Sequence, residues 1–362
     1  MRIASIKSYP LELPLSRPFE TNFGRFEVRR VLLVAVSTGD ATATAECPVF
    51  GPQYSYETVE TARLIVDQHI GPAIVGETLE KPEDFVERVA FIRGHPFAKS
   101  AVELALWDLW ARGRGQPLWR FAGGEREHVR CQISIGVKAS IEELLEAIEA
   151  GIEQGYGHIK LKIRRGWDAA VLEHVRNVYP DTPLMVDANG GYTLQDLPML
   201  KALDRLNLEM IEQPLHPADL RDHALLQREI ATPICLDESV DSIQSAQAAI
   251  ALGSCRIVNI KLARVGGLGP AKQMASLCRE NGLTVWCGGM IETGLGACYN
   301  LAAASLPEFV HPNDITQSYA YFDIELVRPP IQLRRDGTIQ LPERPGIGRD
   351  VDWEMVQRFT TR

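Results

Sequence analysis

HIKLKIRRGWDAAVLEHVRNVYPDTPLMVDAN, residues 158–189, is the stretch on which the fold turns. It opens as a short apolar strand, HIKLKI (158–163), runs through the helical spacing of DAAVLEHVRNVY (168–179), and returns as a second strand, PLMVDAN (183–189). A strand, a loop and a helix together take about 25–30 residues, so the stretch is one βα unit with the next strand attached. The same interval recurs outward from it. Lys162, Asp187, Glu212, Asp237 and Lys261 follow one another at gaps of 25, 25, 25 and 24 residues, each at the C-terminal end of an apolar run.

Strand-like runs continue on both sides: VRCQISIG (129–136), LEMIEQP (208–214), TPICLDES (232–239), RIVNIKLAR (256–264) and LTVWCGGM (283–290), with a short last strand near Phe309 to Ile315. Helical patterns alternate with them. SIEELLEAIEAGIEQG starts at an N-cap, Ser140, with Glu143 three residues on as a capping box. Thr193 opens a second helix, and Gly282 closes the one that contains GPAKQMASLCREN. About eight strands alternating with helices predict a parallel α/β barrel, whose strand ends gather on one face. An open doubly wound sheet would carry a glycine-rich phosphate turn after an early strand, and would not bring five successive strand ends to one point.

The first 125 residues read differently, as strands (IASIKSYPLELPL, VRRVLLVAVST) followed by helical segments near 57–71, 81–92 and 97–113. This predicts three parts: an α+β capping domain over 1–125, the barrel over 126–325, and a C-terminal segment, 326–362, that folds back onto the capping domain. The chain has 362 residues, 45% of them hydrophobic, and a formal charge of -9, which argues against nucleic acid or an anionic membrane as partner. No apolar stretch is long enough to span a bilayer, and the N-terminus reads as a strand rather than a signal peptide. Seven scattered cysteines, without metal-ligand spacing, read as buried thiols in a reducing cytoplasm.

Three carboxylates cannot share a cavity as anions without a cation. Asp187, Glu212 and Asp237 are therefore the expected ligands of a hard divalent metal, Mg²⁺, for which Mn²⁺ can substitute. One acid at a strand end could equally cap a helix; three at equal spacing are hard to explain that way. Lys160 and Lys162 lie two residues apart and so share the inward face of their strand. Lys162 is the expected general base, with Lys160 one layer deeper lowering its proton affinity by like-charge repulsion. Lys261 stands four strands on, across the barrel. Two amines on opposite sides of one carbon suit proton removal from one face and delivery to the other. The metal would stabilise the enolate of a carboxylate substrate. Asn189 and Glu238 are expected beside the ligands, orienting them.

IKLKI with GWD (166–168), VDAN, IEQP, CLDES, NIK, VWCGGMIETG, SIG (134–136), YSYET (54–58) and AKSAVELALWDL (98–109) resemble, in order and over nearly the whole chain, the muconate lactonizing enzyme subgroup of the enolase superfamily. VWCGGM followed by an acid and a glycine is most similar to the o-succinylbenzoate synthase/N-acylamino acid racemase branch. The resemblance implies a modified TIM barrel, (β/α)7β, with an N-terminal α+β capping domain, and a metal-dependent dehydration of the cyclohexadiene precursor SHCHC together with racemisation of N-succinyl or N-acyl amino acids. Dedicated racemases and muconate-type cycloisomerases share the fold and stay as alternatives. A non-catalytic binding barrel would be expected to have lost a lysine or a ligand, and all five are present. The resemblance further implies a small carboxylate substrate contacted by Ser134, Arg264, Gly289, Met290 and Ile291. It also implies two closing loops in the capping domain, one with Phe23 and one with Tyr54. Enzymes of this kind are often symmetric homo-oligomers.

Overall fold

The structure is a computed structural model and describes residues 1–21 and 24–361. The N-terminal unit is built on an antiparallel sheet of β1 (Ser5–Thr21), β2 (Gly24–Ser37) and β3 (Thr42–Cys47), in that order. β1 carries Pro10 and Pro14, which lack an N–H, and it accordingly lies at the sheet edge. β3 was not expected: TATAEC is short and weakly apolar, yet Ala43, Ala45 and Cys47 are buried. The unit also holds the helices α1 (Val59–Ile65) and α2 (Pro96–Gly113), with shorter helical turns at Val66–Ile70, Gly71–Ile74, Asp84–Arg88 and Leu118–Phe121. α2 is apolar nearly all round because it lies between β2 and β3 on one side and barrel helices on the other.

Seven short parallel strands form the barrel in chain order: β5 (Ile133–Ile135), β6 (Ile159–Lys162), β7 (Leu184–Asp187), β8 (Ile211–Glu212), β9 (Ile234–Leu236), β10 (Ile257–Ile260) and β11 (Thr284–Cys287). Lys160 pairs with Met185, Lys162 with Asp187, and Asp187 with Glu212, so the charged strand ends are level. An eighth segment closes the ring through two isolated parallel bridges, Val285 with Phe309 and Cys131 with Asn313. The expected last strand is thus present in position without a regular ladder. The expected first strand is split: β4 (His128–Arg130) leaves the barrel to pair with Thr338–Gln340.

Period two along the strands sorts the interior into layers. Met185, Met210, Cys235, Ile257 and Trp286 form an apolar floor cluster of their own. Two residues farther along the same strands come Asp187, Glu212, Asp237 and Asn259, which places them one layer above it.

The helices follow as α3 (Ile141–Glu153), α4 (Ala169–Val178), α5 (Leu197–Leu203), α6 (Leu220–Glu229), α7 (Ile243–Leu252), α8 (Leu262–Val265), α9 (Leu268–Glu280) and α10 (Gly294–Ala304). Ser140 caps α3 as expected, but Glu143 reaches the Ala139 N–H, 3.3 Å away, instead of closing a box on Ser140. Gly282 has φ +76° and follows the C-cap Asn281. RIVNIKLAR is not one strand: it ends at Ile260, and Lys261 caps the single turn α8, which stops at Gly266 and Gly267, both at positive φ.

Two glutamates of the N-terminal unit finish helices of the barrel. Glu46 on β3 accepts from Thr293 N (3.1 Å), Thr293 Oγ1 (2.5 Å) and Gly296 N (3.3 Å) at the start of α10. Glu103 on α2 accepts from Leu268 N and Gly269 N, each at 2.8 Å, at the start of α9. These are N–H groups that no intrahelical carbonyl can serve. The C-terminal helix α11 (Trp353–Phe359) packs on β1, with the Trp353 and Tyr9 rings 5.3 Å apart and Thr361 N donating to Pro10 O at 2.8 Å. No helix among the described residues is long and apolar enough to cross a membrane, and all seven cysteines are unpaired and buried.

Candidate active site

A cavity opens at the C-terminal ends of the barrel strands. Lys160 and Lys162 from β6, Lys261 after β10, Ser134 from β5, and Asn189, Gly289, Met290 and Ile291 from strand-end loops line it. Tyr54 and Phe50 line it from one loop of the N-terminal unit, and Phe19 and Thr21 from the end of β1. Phe23 lies outside the described residues. β6 and β10 are four places apart in the ring, so Lys162 and Lys261 reach the cavity from opposite sides.

The carboxylates sit behind the amines. Asp187, Glu212 and Asp237 are fully buried and do not form part of the cavity wall. Lys160 Nζ is 3.0 Å from Asp187 Oδ2, 2.7 Å from Glu212 Oε2 and 3.7 Å from Asp314 Oδ2. Lys162 Nζ donates to Asp187 Oδ2 at 2.6 Å and to Asn189 Oδ1 at 2.8 Å. Lys261 Nζ is 3.0 Å from Asp237 Oδ2 and 2.6 Å from the Tyr54 hydroxyl. Arg264 pairs with Asp237 Oδ1 and donates to the Tyr54 hydroxyl at 3.0 Å. Arg264 reaches Asp237 because α8 turns it back toward the barrel instead of carrying it on along a strand.

Two features of the geometry bear on the metal and on the bases. Among the described residues no three acids stand close enough to hold an ion together. The ammonium of Lys160 lies between Asp187 and Glu212, and Asp237 is taken up by Lys261 and Arg264. The second feature concerns the amines. Burial alone would lower the pKa of Lys160 and Lys261, but Asp187 and Glu212 outweigh it for Lys160, and Asp237 for Lys261, so both are raised. The same pairs hold Asp187 and Asp237 below the usual carboxylate range, against the burial that would raise them.

The donor chemistry still fits a hard cation. Burial, then the charge of Asp187, pushes Glu212 up to about 8, and burial pushes Glu238 up to about 7. Glu238 Oε2 is buried without a hydrogen-bond partner. Glu212 Oε2 also lacks one, since Lys160 approaches it closely but off the hydrogen-bonding direction. Both are buried hard oxygen donors left without a hydrogen bond, the kind of group a divalent ion takes up. Glu238 bonds Asn189 Nδ2 at 2.8 Å, and Asn189 N donates to Asp187 Oδ1 at 2.9 Å. Of this pair, only Asn189 touches an expected ligand.

Sequence reasoning missed several residues of the site. Asn259 donates to Glu212 Oε1 at 2.7 Å, and its place two residues before Lys261 could have flagged it. Gln213 is fully buried, and its Oε1 accepts from Asp237 N at 2.9 Å, fixing the start of that loop. Asp314 and Thr316 come from the closing segment, Glu292 from the loop before α10 and Asn300 from within α10; all four line the cavity. Gly288 and Gly289 follow β11 where the chain is crowded: a Cβ would lie 2.1 Å from Asn259 Oδ1 at the first and 2.4 Å from Asp314 O at the second.

Comparison with known proteins adds to this geometry. A family model described as the mandelate racemase/muconate lactonizing enzyme N-terminal domain matches residues 5–123, and one described as enolase C-terminal domain-like matches 143–355. An o-succinylbenzoate synthase from Geobacillus stearothermophilus is 44% identical over 352 residues, covering 97% of this chain and 94% of the relative. An N-succinylamino acid racemase from Thermus thermophilus is 41% identical, covering 99% of this chain and 98% of the relative. The crystal structure of an enolase superfamily member from Listeria innocua superposes with a TM-score of 0.96 at 37% identity, covering 100% of this chain and 98% of that one.

Proposed function

The chain belongs to the mandelate racemase/muconate lactonizing enzyme family of the enolase superfamily, and from that premise we propose that it is an o-succinylbenzoate synthase that also racemises N-succinyl or N-acyl amino acids. One observation carries the reading: Lys162 and Lys261 enter a single cavity from opposite sides of the barrel. The relatives named for both activities support it.

Sites of this superfamily pair a lysine or histidine base with Mg²⁺. Asp187, Glu212 and Asp237 would hold a divalent ion here, Mg²⁺ in this reading, with Mn²⁺ able to replace it. When bound, the ion supplies positive charge where the substrate carboxylate becomes more negative. The remaining work falls to the chain's own groups. Lys162 Nζ takes the α-proton of the substrate from one side. In dehydration the same ammonium returns a proton to the departing hydroxyl, and Lys261 stabilises the developing anion as a cation. In racemisation Lys261 delivers a proton to the opposite face. Asn189 orients Lys162, and Tyr54 orients Lys261, through the hydrogen bonds described above. Phe50 and Tyr54 exclude water from the mouth of the cavity.

The test pairs two assays on the metal-loaded protein. One follows dehydration of SHCHC, the other solvent-deuterium exchange at the α-carbon of each enantiomer of N-succinyl amino acids. Dehydration with exchange from both enantiomers is the expected result. Exchange without dehydration would make it a dedicated racemase. Turnover of cis,cis-muconate with neither activity would make it a cycloisomerase. The reading also carries a symmetric homo-oligomer, to be read by light scattering, and a cytoplasmic location, supported by the unpaired buried thiols.

A further inference from the structure

Arg29, on β2 of the N-terminal unit, is 2% exposed and pairs with no carboxylate among the described residues. A buried guanidinium is costly unless its donors are satisfied. Here carbonyl oxygens take the two terminal amines, while Nε is buried without a partner. Nη1 donates to Val49 O at 2.9 Å, and Nη2 to Pro48 O and Met290 O, each at 3.1 Å. Its Cζ lies 3.9 Å from the centroid of the Phe50 ring, a cation–π contact. One side chain therefore ties together two segments that line the cavity: the 48–50 segment that carries Phe50, and the Met290 carbonyl after β11.

The Met290 segment needs such a hold. Met290 N donates to Glu292 Oε2 at 2.6 Å while Met290 O accepts from Arg29, so the residue is held at both ends. Ile291, next in the chain, has φ +54°, a left-handed conformation disfavoured for a β-branched side chain. Such outliers persist only where the surroundings over-determine them. Met290 and Ile291 line the same cavity as Phe50, whose ring also packs edge-on against Tyr54 at 5.7 Å.

We propose that Arg29 is a positioning residue that sets substrate specificity: by tying Phe50 to the Met290 carbonyl it fixes the width of the cavity's apolar side. It thereby fixes the size of the apolar substituent accepted beside the reacting carbon. This rests on the substrate class proposed above.

The experiment measures kcat and KM for α-deuterium exchange over N-succinyl alanine, valine, methionine and phenylalanine. The proteins compared are the Mg²⁺-loaded wild type, Arg29→Met and Arg29→Lys. The preference among these substrates should change by about tenfold in Arg29→Met, carried by KM, the scale on which an apolar pocket discriminates. Arg29→Lys keeps the charge and some donors and should restore part of the wild-type order. A fall in kcat that is uniform across the series, or an unchanged order, would overturn the inference. Should Arg29→Met not fold, Arg29→Lys and Phe50→Leu decide. Both must shift the order of substrates, and a shift in Phe50→Leu alone overturns the role of Arg29. Calorimetric binding of the same series reads the order without turnover. Wild-type protein that neither exchanges nor binds any of the series would overturn the proposed function itself, an outcome distinct from an active enzyme with an unmoved order.

Discussion

The ammonium of Lys160 stands 2.7 Å from the Glu212 carboxylate, on the apolar floor of the barrel and 5.0 Å from the centre of the Trp286 ring. It supplies the positive charge that a divalent ion would otherwise bring to Glu212. Adding Mg²⁺ should stabilise the fold by about 2.7 kcal/mol at a hundredfold excess over Kd. Glu212→Gln should lose most of that gain. Scanning calorimetry with and without chelator checks it, and a wild-type transition indifferent to Mg²⁺ would exclude these carboxylates as ligands.

Lys162→Ala should depress both dehydration and exchange by about 10²–10⁴-fold, the usual range for a positioned proton-transfer group. Lys261→Ala should separate the two faces: exchange persists from one enantiomer and disappears from the other. Proton NMR in deuterium oxide reads this directly. Equal loss from both enantiomers in Lys261→Ala would contradict the assignment of opposite faces.

The Tyr54 hydroxyl accepts from Lys261 and Arg264 and lies 3.1 Å from Asp237 Oδ2. Tyr54→Phe leaves two cationic donors short of an acceptor, at about 1–3 kcal/mol. We expect kcat/KM to fall by about 10–100-fold, with racemisation hit harder than dehydration because Lys261 transfers a proton only in the former. Steady-state kinetics on both substrates tests this; an equal loss in both would detach Tyr54 from the proton-transfer role of Lys261.

Burial pushes Glu46 up to about 8, against the hydrogen bonds from Thr293 that lower it. A carboxyl raised on folding holds its proton longer in the folded state than in the unfolded one. Its contribution is therefore complete below the unfolded value of about 4.5 and is lost as pH rises through about 8. Glu46→Gln cannot titrate, so its stability relative to wild type should improve between pH 5 and pH 8, by roughly 2–4 kcal/mol. Denaturant titrations of both proteins across that range decide it, and a difference that stays constant would place the pKa of Glu46 outside the window.

Much of the site was legible because a βα unit has a fixed length. The spacing from Lys162 to Lys261 located five strand ends before any contact was known. Period two then placed Lys160 beside Lys162. Asp314 escaped because its segment has no apolar alternation and is held by two bridges and side-chain contacts such as Asn313 Oδ1 to Cys287 N, 2.8 Å. Nothing in NIKLAR marks the turn that carries Arg264 out of the strand; the stop comes later, at Gly266 and Gly267. How the amines neutralise the acids was beyond sequence, since it depends on which long side chain reaches which oxygen.

Glu46 and Glu103 give the two halves of the chain a shared grammar. Each is encoded before the barrel begins, yet each completes a helix within it: one just after the Met290 loop, the other just after the turn that bears Lys261 and Arg264. A barrel cut free at residue 125 would start two helices with exposed amides in buried places. A chimera that exchanges the N-terminal unit for a relative's must bring a carboxylate to both positions, or the loops that carry the chemistry lose their footing. Recombination can therefore vary the rim of this cavity freely, but only on a lid that keeps both anchors.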